Sequence, residues 1–415
     1  MLTIFDEFYN NKNIPDFLDD DGILMNKENN IQLKEFLVNN EDLVTQMLSF
    51  FEYDELETDH KRVIKYPFVV SELLGSLYAL NANHLNFLIQ LLNSHNSLPS
   101  ITIGYISKVI MNVLKHNPCF FWQNVQLPQL GILLQDINNY AIAELIYSMI
   151  IYQTQDNQLD YLKQRMELVN CLLNDINTDR SEGISNVICM LLQQITETLQ
   201  EQKSLIIKHL FTKLDIFLSA LPYRPQPILS ILINLIKHQQ YYESEVNQIY
   251  NHFLERSKEL FDDLLKNSGS FGQNNLSYIQ FYDVLTNQTY ILQNINAQHL
   301  EIALFQLIQK YQFHNQLHKY ATSIILKLIP QTDSQQLLQI ALSEFKIKPI
   351  KENRGYVVQI INKIIEVNFN LQIQEEELQN INSIQNNYFF GQIPDQKPTF
   401  NLQEEFEAAM NKLQI

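Results

Sequence analysis

Apolar residues recur at the spacing of an α-helix along almost the whole chain, and this periodicity restricts the available folds more than any other feature. Ile142, Leu145, Ile146, Met149 and Ile150 form one stripe on a helix, and Ile106, Val109, Ile110, Val113 and Leu114 form another. The second segment opens after Pro99 and closes before Asn117-Pro118. Both boundaries follow from proline, which suits a first helical turn and pushes the residue before it out of the α region. Pro67 likewise reads as the first-turn residue of a helix running to about Leu80. Pro225 and Pro227 open ILSILINLIK, which is apolar nearly all round and so requires cover on several sides. About 16 to 20 helices are expected, most of them about 10 to 20 residues long. No alternating run reaches strand length.

Glycine sharpens the same reading. Average usage of roughly 7% would give about 29 glycines in a chain of this length, and there are 9 in 415 residues. With 12 prolines as well, the chain lacks the turn residues that many hairpins, a Rossmann sheet or a barrel require. Helix pairs recur about every 40 residues without a strict sequence repeat, the scale of HEAT and armadillo units. The predicted fold is therefore all-α: a curved α-solenoid of HEAT/armadillo-like helix pairs, forming a single domain over residues 1–415. Residues 1–30 are expected to be an irregular N-terminal segment, and 383–399 a loop before a last amphipathic helix. The other long connectors are expected around 10–30 and 266–275. An ordinary multi-domain helical bundle is the competing architecture.

The 29 Lys plus Arg against 46 Asp plus Glu leave a formal charge of −17. Nucleic acid is thereby disfavoured as a partner, because affinity for it comes mainly from cations on phosphates. Asn and Gln make up roughly a fifth of the chain, well above ordinary usage, dispersed as a codon bias would leave them. Cys119, Cys171 and Cys189 are an odd number with no close pair, which points away from a disulfide framework or a zinc site and toward a reducing compartment. The beginning MLTIFDEFYNNKN has no signal-peptide pattern, and no apolar run approaches membrane-spanning length. The expectation is a soluble protein of the cytoplasm, with the nucleus as a second location, and no membrane insertion.

Chemistry-bearing constellations are few. His314 and His318 are four apart, but HExxH would need a glutamate among Asn315, Gln316 and Leu317, so a solvated helix start is the expected reading. Asp19-Asp20-Asp21 and Glu375-Glu376-Glu377 lack calcium-loop spacing and read as helix-start charges. His116 and Cys119 are neighbours in sequence only, and Cys119 reads as buried packing. No phosphate loop, nucleophile elbow or kinase signature is present. No cofactor, metal or catalytic residue is assigned.

The segment His60-Lys61-Arg62-Val63-Ile64-Lys65-Tyr66-Pro67-Phe68 is different in kind. It concentrates three firm positive charges and two aromatic rings in an acidic protein. Cations at a helix start oppose the helix dipole, so local stability does not account for them. Either they meet an acidic partner surface, or Lys61 and Arg62 pair with Asp54, Glu55, Glu57 and Asp59 while Tyr66 and Phe68 pack inward.

These residues and several other blocks, in order, resemble the SAPS family, regulatory subunits of the protein phosphatase 6 class. FLDDDGILMNKENNIQLKEFL, residues 17–37, is similar to the family's early acidic block. Lys61-Arg62, Lys65-Tyr66-Pro67-Phe68 and Glu72-Leu73-Leu74 are similar to its hallmark. Tyr105-Ile106-Ser107-Lys108-Val109 resembles its Tyr-Phe-Ser-Lys-Val segment, and INNYAIAELIYSMI the helix that follows. YQFHNQLHKYATSII and Arg354-Gly355-Tyr356 with Ile361-Asn362 resemble two downstream blocks. Ser71 stands where the family usually has cysteine, Phe313 where it has tryptophan, and Val358-Gln359 where Gly-His is common; the family's long acidic tail has no counterpart.

The resemblance implies a non-catalytic scaffold that binds a serine/threonine phosphatase catalytic subunit and directs it to substrates; some family assemblies add an ankyrin-repeat subunit. The chain lacks the GDxHG, GDxxDRG and GNHE motifs of such phosphatases, so metals and chemistry are expected in the partner. Lys61, Arg62, Lys65, Tyr105, Lys108, Arg354 and Tyr356 are the candidates for partner contact, while Tyr66, Pro67 and Phe68 are expected to shape the helix start. Two readings from other classes stand beside this one: a helical-repeat adaptor in nuclear transport or vesicle traffic, and an enzyme built on His314 and His318.

Overall fold

The computed structural model describes residues 14–19, 24, 31–52, 58–77, 79–94, 98–152, 161–195, 201–266, 271–311, 314–332, 334–347 and 354–367. The described residues are all-helical, with 21 α-helices and no strand. The expected loop over 383–399, the last helix and Glu375-Glu376-Glu377 lie outside them. Internal contacts divide the chain into two units, Met1–Ile249 and Tyr250–Ile415.

In the first unit the helices are α1 (Ile14–Asp19), α2 (Ile31–Val38), α3 (Glu41–Leu48), α4 (Tyr66–Leu77), α5 (Ala82–Asn93), α6 (Ser100–His116), α7 (Pro118–Asn124), α8 (Leu127–Leu133), α9 (Tyr140–Ile151), α10 (Leu162–Asn174), α11 (Ser181–Ile195), α12 (Glu201–Thr212), α13 (Leu214–Ala220) and α14 (Pro225–Ile236). Helix α15 (Glu243–Lys266) crosses into the second unit. There follow α16 (Gln273–Leu285), α17 (Thr289–Asn294), α18 (Ala297–Lys310), α19 (Asn315–Leu328), α20 (Gln335–Ile347) and α21 (Arg354–Val367). The expected segment of irregular chain over 1–30 contains α1, and the total exceeds the expected number. Helices of six or seven residues, such as α1, α7, α8 and α13, are too short to display a period.

Packing in the first unit follows two rows. Helix α4 packs on α6, α6 on α9, α9 on α11 and α11 on α14. Beside this row, α3 packs on α5, α5 on α8, α8 on α10 and α10 on α12. Contacts such as α5 with α6 and α9 with α10 join the rows. The first row's helices begin at residues 66, 100, 140, 181 and 225, so each layer repeats after about 40 residues. The apolar stripes supply the adhesion: Ile106, Val109, Ile110, Val113 and Leu114 of α6 and Ile142, Leu145, Ile146, Met149 and Ile150 of α9 are all buried. In the second unit, α16 packs on α19 and α19 on α21, with α18 packing on both α19 and α20.

Polar bonds cross between successive layers. Asn138 Nδ2 donates to the Asp179 carbonyl at 3.0 Å, and its Oδ1 accepts the Gly183 N–H at 3.1 Å. Asp179 in turn accepts from Arg224. Ser185 Oγ donates to the Pro227 carbonyl at 2.8 Å, and the His238 ring bonds the Leu192 carbonyl at 3.0 Å. Asparagine also closes helix starts: Asn81, Asn117, Asn139 and Asn296 side chains accept backbone N–H groups at the beginnings of α5, α7, α9 and α18. Part of the asparagine excess therefore has a structural job in caps and between layers.

Candidate interaction site

The basic block forms one helical run with α4. Lys61–Lys65 is a π-helical turn leading directly into Tyr66. The Tyr66 N–H donates to the Lys61 carbonyl, the wide pairing of a π turn. Pro67 follows at once; a proline inside a helical run cannot donate and crowds the preceding turn. Pro67 is in the first turn of α4, as the sequence suggests, and the π turn carries the helical run back to His60, with Asp59 Oδ1 accepting the Lys61 N–H at 3.0 Å.

The lysines meet an unforeseen partner. Lys61 Nζ lies 2.7 Å from Asp19 Oδ2, Lys65 Nζ lies 2.9 Å from Asp19 Oδ1, and the Tyr66 hydroxyl lies 3.4 Å from Asp19 Oδ2. Asp19 is the last residue of α1, whereas Asp20 and Asp21 lie outside the described residues. A carboxylate at a helix C-terminus and ammonium groups at a helix N-terminus are each on the unfavourable end. Here the two mismatches neutralise one another. The hydrogen bonds from Lys61 and then Lys65 hold the Asp19 carboxyl below the usual carboxylate range. The bond to Asp19 raises Lys61 above the usual lysine range. Burial raises the Tyr66 hydroxyl. Helix α1 is seated by buried Ile14, Phe17 and Leu18 and packs on α3 and α4.

Arg62 is anchored differently. Its guanidinium carbon stands 4.4 Å from the centre of the Phe50 ring, and its Nη2 donates to the Ser49 carbonyl at 2.9 Å. Phe50 also meets Tyr66 edge-on at 5.2 Å. Arg62 therefore fastens the π turn to the segment after α3.

On the neighbouring ridge, Glu72 of α4 pairs with Lys108 of α6. Tyr105 of α6 meets the Phe68 ring edge-on at 6.0 Å. Tyr66 packs inward as expected, whereas Phe68 does not; it is 41% exposed. Ile64, one turn before Phe68, and Ile101, one turn before Tyr105, are exposed too. The π turn with α4, and α6 beside it, thus carry an apolar strip joined at Phe68 and Tyr105, with Lys61 three residues before Ile64 and Lys108 three after Tyr105. Ile64, Phe68 and Ile101 were not among the sequence candidates, though the spacing 64, 68, 72 opposite the buried Val69, Val70, Leu73 and Leu74 carries the signal.

Lys61, Arg62, Lys65, Tyr105 and Lys108 thus gather on adjacent elements of the first unit. Arg354 and Tyr356 belong to α21 of the second unit. The Arg354 side chain lies outside the described residues, and Tyr356 packs edge-on against His318 at 5.6 Å.

The His314/His318 pair is not a solvated helix start. His314 caps α19, its Nδ1 accepting the Leu317 N–H at 3.2 Å. His318 is fully buried, with Nε2 bonded to the Tyr311 carbonyl at 2.9 Å, and burial lowers its pKa. Among the described residues no three His, Cys, Asp or Glu side chains gather as a metal site. Cys119 is half-buried rather than buried, as are Cys171 and Cys189, and all three are free thiols. No helix is long and apolar enough to cross a membrane, among the described residues.

Comparison of the chain with protein-family models, with curated proteins and with solved structures gives no match.

Proposed function

We propose that this chain is a non-catalytic regulatory subunit that binds a serine/threonine phosphatase catalytic subunit of the protein phosphatase 6 class and directs it to substrates. In this reading the paired rows of helices are a HEAT/armadillo-like solenoid, and an ankyrin-repeat subunit is a further partner. The observation that carries it is the strip formed by Phe68 and Tyr105 between Lys61 and Lys108, on adjacent helices of the first row. An exposed ring packed on a half-buried one, with cations nearby, suits a protein surface with an apolar centre and acidic edges. The same blocks carry the resemblance to SAPS proteins. The cations would steer an acidic partner, an effect that weakens as salt rises.

The test is capture from cells with the full chain as bait, followed by mass spectrometry of what co-purifies. A phosphatase catalytic subunit is the expected partner. It should be lost with Phe68→Ser plus Lys61→Glu, provided that far-UV circular dichroism stays unchanged. Capture that survives the folded double variant removes this strip from the interface. A transport or vesicle-coat partner with no phosphatase replaces the proposal with the adaptor reading.

A further inference from the structure

Three observations about Asp19 converge on one device. Its carboxylate takes two ammonium groups, Lys61 Nζ at 2.7 Å and Lys65 Nζ at 2.9 Å. The three side chains remain open to water, at 30% exposure for Asp19, 55% for Lys61 and 35% for Lys65. Each charge also lies at the helix end that disfavours it. The lysines therefore have a binding task that a carboxylate satisfies, and the carboxylate that satisfies it comes from the chain itself. Exposed ion pairs are weak and exchange readily. The π turn presenting the lysines is a form of helix enriched at functional sites.

We infer that Asp19 is an internal competitor for the Lys61/Lys65 pair: an autoinhibitory contact that an acidic protein segment displaces when it docks. The contact is a counter-ion exchange, with one carboxylate leaving as another arrives and no bond made or broken. Helix α1 stays seated throughout, because Ile14, Phe17 and Leu18 hold it independently of the charge. The inference rests on the reading above that these lysines face a partner, and it adds what limits access to them. The net charge of −17 keeps background affinity for acidic peptides low, so a gain on removing one carboxylate reports the lysines.

The experiment is fluorescence anisotropy of a fluorescein-labelled hexaglutamate peptide titrated with the full chain at low ionic strength. Asp19→Asn keeps the shape of the side chain and removes its charge, and should bind the peptide three- to tenfold more tightly than the native chain. Asp19→Glu keeps the charge and should bind as the native chain does. Adding Lys61→Gln and Lys65→Gln to Asp19→Asn should abolish the gain, and 0.5 M salt should erase it. Equal or weaker binding by Asp19→Asn overturns the inference, as does a gain shared by Asp19→Glu. Amide exchange over residues 14–19 accompanies each titration; a gain seen only when that helix has opened also overturns it. The phosphatase proposal stands or falls separately: a tighter Asp19→Asn variant that captures no phosphatase keeps the contact and discards the partner.

Discussion

Gly183 lies so close to Ile137 that a Cβ at position 183 would sit 2.3 Å from the Ile137 carbonyl oxygen and 2.9 Å from the Asn138 nitrogen. The obstacle is backbone, which cannot swing aside as a side chain would. The same approach lets the Gly183 N–H reach Asn138 Oδ1 at 3.1 Å. Gly183→Ala should therefore force α11 away from the turn before α9 and destabilise the first unit by about 1–3 kcal/mol. Urea unfolding followed by circular dichroism measures this, and a change near zero would show that the layers are not held so tightly.

Arg62 and Lys61 are adjacent but should respond differently to truncation. Arg62→Ala removes both the stacking on Phe50 and the bond to the Ser49 carbonyl, and should cost about 1–2 kcal/mol. Lys61→Ala removes only an exposed ion pair, so its thermal midpoint should remain close to that of the native chain. Equal shifts in the two melting curves would contradict this division between an anchoring and a displayed cation.

Glu301 predicts a pH dependence. It is 1% exposed on α18, facing the Thr332 and Ser334 hydroxyls at 2.7 and 3.4 Å, and burial pushes its pKa up to about 7. The ordinary value for the unfolded chain is 4.5. Below that pH both states hold the proton and there is no penalty. Between 4.5 and 7 the folded state holds a proton that the unfolded state has released, so stability falls as pH rises. Above about 7 the full penalty applies, up to about 3 kcal/mol. Glu301→Gln should flatten this part of the stability profile between pH 4.5 and 7, read from urea midpoints at a series of pH values.

Tyr282 tests the second unit. Its hydroxyl donates to the Phe253 carbonyl at 2.9 Å from a fully buried position, between the Phe253 and Phe261 rings. Tyr282→Phe keeps the ring and removes this buried bond, leaving the Phe253 carbonyl its place in the helical ladder of α15. The expected loss is about 1–2 kcal/mol. Unfolding reported by amide exchange over α15 and α16 would locate it, and an unchanged exchange rate there would refute it.

Long elements were legible in the sequence because a stripe of five or more apolar residues repeats often enough to fix its phase. Helices α6, α9 and α14 show this, and α6 and α14 also carry prolines at their boundaries. Helix α17, with six residues, spans less than two turns and leaves no such trace. The basic block was visible as an anomaly, but its counter-ion was not. Asp19 is 42 residues from Lys61, and a charge pairing over that distance carries no local pattern. His318 illustrates a signal that was present and outweighed: it falls in the stripe of Leu317, Ala321, Ile324 and Ile325, all buried. The metal-like spacing to His314 drew attention to chemistry at a position that packing explains.

The step of about 40 residues between bonded layers bears on how the chain is made. Asn138 needs only Asp179 and Gly183, and Ser185 needs only Pro227, so each layer finds its neighbour as soon as the next helix pair has emerged from the ribosome. Contacts of such short reach favour quick, vectorial assembly during synthesis.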